Sequence, residues 1–210
     1  MSQARSRLPQ LVLTIIGIVV LGVVIGAVAR SFWPGPPGDG SADAGFLRDM
    51  STHHNQAVEM SLIIGDRTED PTLQAFTTDI ALTQQGQIGA MSGWLQVWDL
   101  SMNSDDLAMT WMGHPTQGLM PGMATSEEVQ QLRDLPVGEA EVLFLRLMIR
   151  HHQSGVEMAE ACLDRCDEDV VTRLAGGIAA AQRSEIEAMN SMLVARGEEP
   201  EPGAGTPGGG

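Results

Sequence analysis

The 210-residue chain contains no Lys and no Tyr, and only 4% of its residues are aromatic. All 12 basic residues are Arg, and three of them (Arg5, Arg7 and Arg30) lie in the first thirty residues, where there is no acid. The rest of the chain therefore carries 9 Arg against 27 acidic residues, a formal charge of −18. Because nucleic-acid binders present a basic face, that class of protein is excluded.

The sequence also lacks a Ser/His/Asp set, a phosphate-binding loop and a nucleotide fingerprint, so we expect a protein that is not an enzyme. Sustained alternation of apolar and polar residues is absent too, which argues against strands. Methionine is abundant instead: 12 of the 13 Met lie between positions 50 and 192. This excess of thioether groups requires an explanation in core packing or in chemistry.

Residues 11–29 contain no charge, and at about 1.5 Å per residue they nearly span a hydrocarbon core of roughly 30 Å. We predict a transmembrane anchor at 11–30, with residues 1–10 in the cytoplasm because Arg5 and Arg7 precede it. The alternative is a cleaved signal peptide, since Ala27, Val28 and Ala29 resemble a cleavage site. The expected location is the cell membrane, single-pass with the acidic domain outside, or the exterior after cleavage.

Two segments mark the limits of the folded domain. Residues 31–43 are rich in Pro and Gly and predict a tether. Residues 198–210 have little to bury and predict a disordered tail. The domain itself is therefore placed at residues 44–197.

An internal repeat organises this domain. Residues 46–60 recur as residues 144–158, with nine of fifteen positions identical at a constant offset of 98. The same offset relates the helical segments that follow, which defines two units, 44–99 and 142–197. Two copies are too few for a solenoid, so we expect a closed pair of units.

Each unit shows the periodicity of two helices. In the first unit, apolar residues recur at helical spacing from Phe46 to Ile64 and again from Ile80 to Leu95. Two such αα-hairpins predict an all-α four-helix bundle. A Met-rich crossover, residues 100–125, is expected to be irregular, and Ser126 is predicted to cap a short helix after it.

Four of the five His form the adjacent pairs 53–54 and 151–152. His53 and His151 continue the apolar faces and should point inward, whereas His54 and His152 lie on the flank. Together with repeated Met residues they predict one metal-binding patch per unit, and the two patches should meet across a pseudo-two-fold axis. The predicted ligands are His53, His54, His151, His152, Met50, Met148, Met60 and Met158, with Gln84 and Gln182 as hydrogen-bonding partners of the rings. The alternative is a structural hydrogen-bond network.

Thioether and imidazole groups together favour copper, above all Cu(I), over Mg, Ca or Mn. A di-iron site needs Glu-x-x-His motifs, and no Glu stands three residues before a His. We therefore expect copper to be sequestered, buffered or delivered, with a copper-handling partner protein or a second copy of the chain as further partners. The alternative is a metal-free scaffold or partner-binding module.

Two further groups carry sulfur. Met109, Met112, His114, Met120 and Met123 in the crossover predict either a second soft-metal cluster or a cap over the open end of the bundle. Cys162 and Cys166 predict a disulfide in an exported domain, with a thiolate metal site as the alternative.

With these motifs in hand, the chain resembles family 305 of the domains of unknown function. The resemblance covers residues 44–197 and is carried by the run MPGMATSEEVQQLRDLPVGEAEVLFLRLMIRHHQSGVEMAE and by Gln182, Glu185, Ile186 and Met189. It implies a ferritin-like bundle that is exported or membrane-anchored, with copper binding in some members. By that resemblance the ligand set is His53, His54, His151, His152, Met50 and Met148. Because Glu185 corresponds to Gln87, the halves are not equivalent if Glu185 ligates metal or orients a His.

Overall fold

The computed structural model describes residues 7–31 and 35–202, which form six α-helices and no β-strand. The chain divides into two compact units, Met1–Pro36 and Pro37–Gly210. The first unit contains helix α1, Arg7–Ser31. Within the described ranges, no helix combines the length and the apolar character needed to cross a membrane, so the predicted anchor is not confirmed. The first six residues of the predicted cytoplasmic segment, residues 32–34 of the tether and residues 203–210 of the tail lie outside the described residues.

The second unit confirms the predicted all-α bundle built from two hairpins. Its helices are α2 (Ala42–Arg67), α3 (Pro71–Val97), α4 (Ser126–Asp134), α5 (Val137–Arg165) and α6 (Asp169–Ala195). Helix α2 pairs with α3 and α5 pairs with α6, and the two hairpins meet through α2 and α5. In the crossover, the described backbone forms one short 3-10 helix, Thr110–Met112, and an isolated bridge between Ala108 and Thr116.

Side-chain caps mark where α2, α3 and α4 begin. The Ser41 hydroxyl accepts the backbone N–H of Ala44 at the start of α2, at 3.1 Å. The predicted cap of α4 was wrong by one residue, because Thr125 and not Ser126 occupies that position. Thr125 and Glu128 each bind the other's backbone N–H, and this reciprocal pair satisfies two donors that the first turn leaves free.

The apolar core forms two clusters, which we call the Met50 cluster and the Met60 cluster. The Met50 cluster includes Phe46, Met50, Met91 and Met158, and the Met60 cluster includes Met60, Phe144, Met148 and Met189. Each cluster therefore combines the beginning of the first helix of one hairpin with the end of the first helix of the other. This exchange follows from two hairpins related by a pseudo-two-fold axis, whose central helices α2 and α5 run in opposite directions.

The prediction of a disordered tail does not hold for residues 198–202. Arg146 forms ion pairs with Glu198, at 2.8 Å, and with Glu201. The backbone of Glu201 exchanges two hydrogen bonds with the side chain of Asn190. Polar contacts to α5 and α6 thus fix a segment that has little apolar surface to bury.

Candidate metal centre

The two hairpins of the bundle meet at His53 and His151, whose ring centroids are 3.6 Å apart with an angle of 31° between the ring planes. Both side chains are fully buried. The repeat places both residues at the centres of α2 and α5, so the crossing of these helices brings the rings face to face. The inward orientation and the proximity of the two units' imidazoles agree with the sequence-based expectation.

His54 and His152 lie beside this pair, are also fully buried, and are hydrogen-bonded to the second helix of their own hairpin. The Nε2 atom of His54 is 2.7 Å from Oε1 of Gln87. The Nε2 atom of His152 is 2.7 Å from Oε2 of Glu185. The four imidazoles thus form a buried group at the centre of the bundle, which we call the His layer.

Gln84 and Gln182, predicted as partners of the rings, are buried but form no hydrogen bond with a His. The partners Gln87 and Glu185 stand three residues later on the same helices. Glu185 is among the predicted second-sphere residues, whereas Gln87 is not. The constant offset of 98 that relates Gln87 to Glu185 is the sequence signal that identifies it.

Many buried polar atoms of the His layer, and those of Gln84 and Gln182, have no hydrogen-bond partner within the described part of the chain. They are both ring nitrogens of His53 and His151, Nδ1 of His54 and His152, and the side-chain amide atoms of Gln84 and Gln182. An unpaired buried donor or acceptor costs about 1–3 kcal/mol, and native proteins leave few of them. A concentration of such atoms in one place fits a site for a metal ion, which would accept the lone pairs of the ring nitrogens when bound.

Three imidazoles of the layer, those of His53, His54 and His151, are held in the neutral form. Burial, reinforced by the neighbouring imidazoles, lowers the pKa of His53 and His151 well below the usual value of 6.5. Burial likewise lowers the pKa of His54 to about 4, and the hydrogen bond to Gln87 opposes this only in part. Neutral rings keep the lone pair that a metal ion requires.

The predicted Met ligands do not form one patch per unit. Met50 and Met60 of the same helix are separated by roughly 15 Å along its axis, at about 1.5 Å per residue. The structure places Met50 with Met158 in one cluster and Met60 with Met148 in the other, all four fully buried. Thioether groups therefore lie on both sides of the His layer, and each side has one from each hairpin.

In the described ranges, no group of three or more His, Cys, Asp or Glu side chains is arranged to hold a metal ion. The His layer instead brings four imidazoles together with two rings stacked.

The crossover packs over the end of the bundle that contains the Met50 cluster. Met109 and Met120 are buried in this cluster, and Met112 and Met123 lie partly buried against it. His114, in contrast, is exposed. These five predicted ligands therefore do not share one environment, and the packing of the four Met residues favours the cap over the second metal cluster.

Hydrogen bonds from two side chains of α2, Asp49 and Gln56, help to hold the crossover in place. Oδ2 of Asp49 accepts hydrogen bonds from the backbone N–H of Met109, at 2.7 Å, and from Nε1 of Trp111, at 2.8 Å. Further along, the side-chain amide of Gln56 exchanges two hydrogen bonds with the backbone of Ala124. Both anchors project from α2, so the cap is tied to the helix that carries the first His pair.

Cys162 and Cys166 form a disulfide with a Cα–Cα distance of 5.0 Å, so the alternative of a thiolate metal site does not hold in this structure. Helix α5 ends at Arg165, and Cys166 has an extended backbone that turns its sulfur back toward Cys162.

The fold and the site together define a duplicated four-helix bundle with a buried layer of imidazoles between its two halves. The chain belongs to the DUF305 family, because the family model described as Domain of unknown function (DUF305) matches residues 43–193.

Solved structures share this fold. A DUF305 protein of Streptomyces coelicolor is 48% identical, with a TM-score of 0.75 over 79% of this chain and 99% of that one. A DUF305 fragment of Deinococcus radiodurans is 33% identical, with a TM-score of 0.64 over 77% and 99%. CopM in its Cu(I)-bound form is 24% identical, with a TM-score of 0.56 over 73% and 96%. The uncharacterized protein L153 of Acanthamoeba polyphaga mimivirus is 40% identical over 50 residues, which are 24% of this chain and 33% of the viral protein.

Proposed function

We propose that this protein is an exported copper-binding protein that holds the ion in the His layer and buffers or hands over the ion without catalysing a reaction. The observation that carries the proposal is the set of fully buried imidazole nitrogens for which residues 7–31 and 35–202 supply no hydrogen-bond partner. The ligands would be His53, His54, His151 and His152, with thioethers from Met50 and Met158 on one side of the layer and from Met60 and Met148 on the other.

The chemistry of the donors supports copper. Imidazole and thioether groups suit Cu(I), and neither a neutral imidazole nor a thioether has to lose a proton to bind it. When bound, the ion would supply the partner that the unpaired ring nitrogens lack. The structural neighbour CopM is described in Cu(I)-, Cu(II)- and Ag-bound forms, which supports the choice of metal. At 24% identity that likeness concerns the fold, so the assignment of ligands depends on this chain's own His layer.

A metal-free scaffold is the second candidate, and one observation favours it. The ring centroids of His53 and His151 are 3.6 Å apart, so the two rings already contact each other between α2 and α5 without a metal ion. In that case the His layer would serve packing, and the acidic surface or the Met-rich cap would contact a partner protein.

Export to an oxidising compartment is part of the proposal. The Cys162–Cys166 disulfide is typical of proteins outside the cytoplasm. The Streptomyces coelicolor relative is named a "putative secreted protein". Fractionation of cells that produce the full chain, with N-terminal sequencing of the product, tests this. An intact N-terminus in the membrane fraction indicates an anchor, a start after position 29 indicates a cleaved signal, and cytoplasmic protein contradicts export.

Copper binding is tested by titrating the full chain with Cu(I) in the presence of a competing chelator. The test variant replaces His53, His54, His151 and His152 by Ala, and the matched control is His114→Ala, which changes an exposed His. We expect the control to bind like the wild type and the fourfold variant to lose binding.

A milder variant, His53→Gln with His151→Gln, keeps polar side chains of similar size in case the fourfold variant does not fold. Circular dichroism shows which variants retain their helices. The wild type is compared with the fourfold variant if that variant folds, and otherwise with the double Gln variant. The copper proposal is contradicted if the wild type binds Cu(I) no more tightly than this variant.

A further inference from the structure

The two halves of the His layer differ at one position. His54 and His152 occupy equivalent sites, are both fully buried, and each has Nε2 at 2.7 Å from an oxygen of the neighbouring helix. The oxygen belongs to the neutral amide of Gln87 in the first half and to the carboxyl group of Glu185 in the second. The duplication therefore supplies an internal comparison between an amide and a carboxylate in the same position.

This difference determines how firmly each ring's tautomer is fixed. A carboxylate only accepts hydrogen bonds, so Nε2 of His152 has to carry a hydrogen, and in the neutral tautomer that this selects, Nδ1 keeps its lone pair. A Gln side chain can present either its oxygen or its NH₂ group, so Gln87 is compatible with both tautomers of His54. Both Nδ1 atoms are buried without a partner. Only at His152 does the neighbouring residue select the tautomer in which Nδ1 can bind a metal ion.

Charge strengthens the difference. The hydrogen-bond partners of the four rings within the described residues include a single carboxylate, Glu185. A cation in a buried layer of neutral imidazoles and amides is costly unless a negative charge lies nearby. A carboxylate bonded to a metal-binding imidazole also raises the basicity of the ring, and its loss commonly costs 10–100-fold in metal affinity.

We infer that Glu185 is a positioning residue for His152. Through this residue, the Nδ1 atom of His152 becomes the ligand of the first copper ion that the layer binds. This inference rests on the proposed function, because it concerns the order in which the same layer is loaded. It predicts that His54, with an amide behind it, forms the weaker half.

The exchange of Gln and Glu between the halves tests the inference. Cu(I) under chelator competition and Ag(I), which is inert to oxidation in air, are titrated into the wild type, Glu185→Gln, Gln87→Glu and the double exchange. Glu185→Gln should weaken the first binding event by about 10–100-fold. The double exchange should restore most of that loss, with His54 now binding first.

NMR of the ¹⁵N-labelled imidazoles provides a readout that does not depend on affinity. In the metal-free wild type, Nε2 of His152 should be protonated and Nδ1 unprotonated, and the first equivalent of Ag(I) should shift Nδ1 of His152. In Glu185→Gln the His152 tautomers should mix. In the double exchange the first shift should move to His54.

The outcomes separate this inference from the proposed function. If no protein in the series binds Cu(I) or Ag(I), the proposed function fails. If the wild type and Glu185→Gln bind equally, or if the first shift appears at another His, the proposed function stands and the inference is overturned. The inference is also overturned if the double exchange does not restore the affinity and if Glu185→Gln and the double exchange lose thermal stability equally in the absence of metal. That result assigns Glu185 a structural role.

Discussion

The ring centroids of His53 and His151 lie 3.6 Å apart at the centre of the bundle, although no nitrogen of either ring has a hydrogen-bond partner among the residues that the structure describes. Apolar side chains at these two positions would pack the same space without unpaired polar atoms. The pair therefore destabilises the metal-free fold at the point where the two repeats meet. A function that needs imidazole at this point explains why a core with so many apolar residues contains them.

Replacing the stacked pair by Leu should stabilise the metal-free protein. The double variant His53→Leu with His151→Leu removes four unpaired nitrogens and keeps a side chain of similar volume. The free energy of unfolding should rise by on the order of 1 kcal/mol or more, because the removed groups each carried a desolvation cost. Urea denaturation in the presence of a chelator measures this rise.

The same variant should lose the stabilisation that copper gives the wild type, since binding to the native state alone raises stability. The exposed His114→Leu is the control and should change neither quantity by much. A decrease in the metal-free stability of the double variant would show that the rings contribute favourable contacts.

The metal-free protein should lose stability as the pH falls below about 6.5. Burial lowers the pKa of His54 to about 4, and it lowers the pKa of His53 and His151 well below the usual value of 6.5. Below 6.5 the unfolded chain binds protons that the folded chain does not, so unfolding is favoured. The contribution of these imidazoles to the free energy of unfolding is fully present above pH 6.5 and decreases as the pH falls toward 4.

The groups that face these rings are His152, Gln87 and Glu185. Between pH 7.5 and 5.5, each lowered imidazole should remove roughly 1 kcal/mol from the free energy of unfolding. Urea denaturation at both pH values, in the presence of a chelator, measures the change. In the Leu double variant the change should shrink by about two thirds, because one of the three imidazoles remains. An equal pH dependence in the two proteins would contradict the assignment to the His layer.

The repeat predicted more of this structure than composition did. An offset of 98 with helical spacing was sufficient to predict two hairpins and the meeting of His53 with His151. Helical spacing did not show that Met50 would join Met158, because that depends on the opposite directions of α2 and α5. Periodicity assigns a residue to a face of its helix, whereas the crossing of helices decides which residues share a level.

The partners of the flanking rings show a second limit. Gln84 and Gln182 follow the apolar face of their helices, which made them the expected partners. His54 and His152 are rotated by about 100° from the inward His, so their partners come from the neighbouring row of α3 and α6. Sequence patterns give the rows, but the choice between adjacent rows depends on how the two helices are rotated about their axes.

Removal of the disulfide should destabilise the bundle moderately. Cys162 and Cys166 close a small loop, for which the loss of chain entropy predicts a contribution of about 2 kcal/mol. The variant Cys162→Ala with Cys166→Ala should lose this amount in urea denaturation. The wild type treated with a reducing dithiol should lose a similar amount.

Copper stoichiometry should be unchanged in this variant, because the sulfurs lie outside the proposed ligand set. A lower stoichiometry in the Ala variant would contradict the separation of the disulfide from the copper site. The comparison of oxidised and reduced wild type excludes effects of the substitution itself.

The contact between Gly45 and Trp111 should control how the crossover packs on α2. A Cβ atom added at Gly45 would lie 2.6 Å from Cδ1 of Trp111 and 2.7 Å from its Cβ and Cγ. Gly45→Ala should therefore displace the indole and break its hydrogen bond to Asp49. The matched control is Gly93→Ala in α3, where an added Cβ meets nothing within 4 Å. Because Ala is the better helix former, the control should gain up to about 1 kcal/mol of stability.

Limited proteolysis distinguishes these expectations, because an undocked crossover exposes its backbone to cleavage. Gly45→Ala should be cut within residues 100–125 markedly faster than the wild type, and its free energy of unfolding should fall. Gly93→Ala should be cut at the wild-type rate or more slowly. If Gly45→Ala gains as much stability as Gly93→Ala and resists proteolysis equally, the indole does not hold the crossover against α2, and the Met-rich cap depends on its apolar contacts and on Gln56.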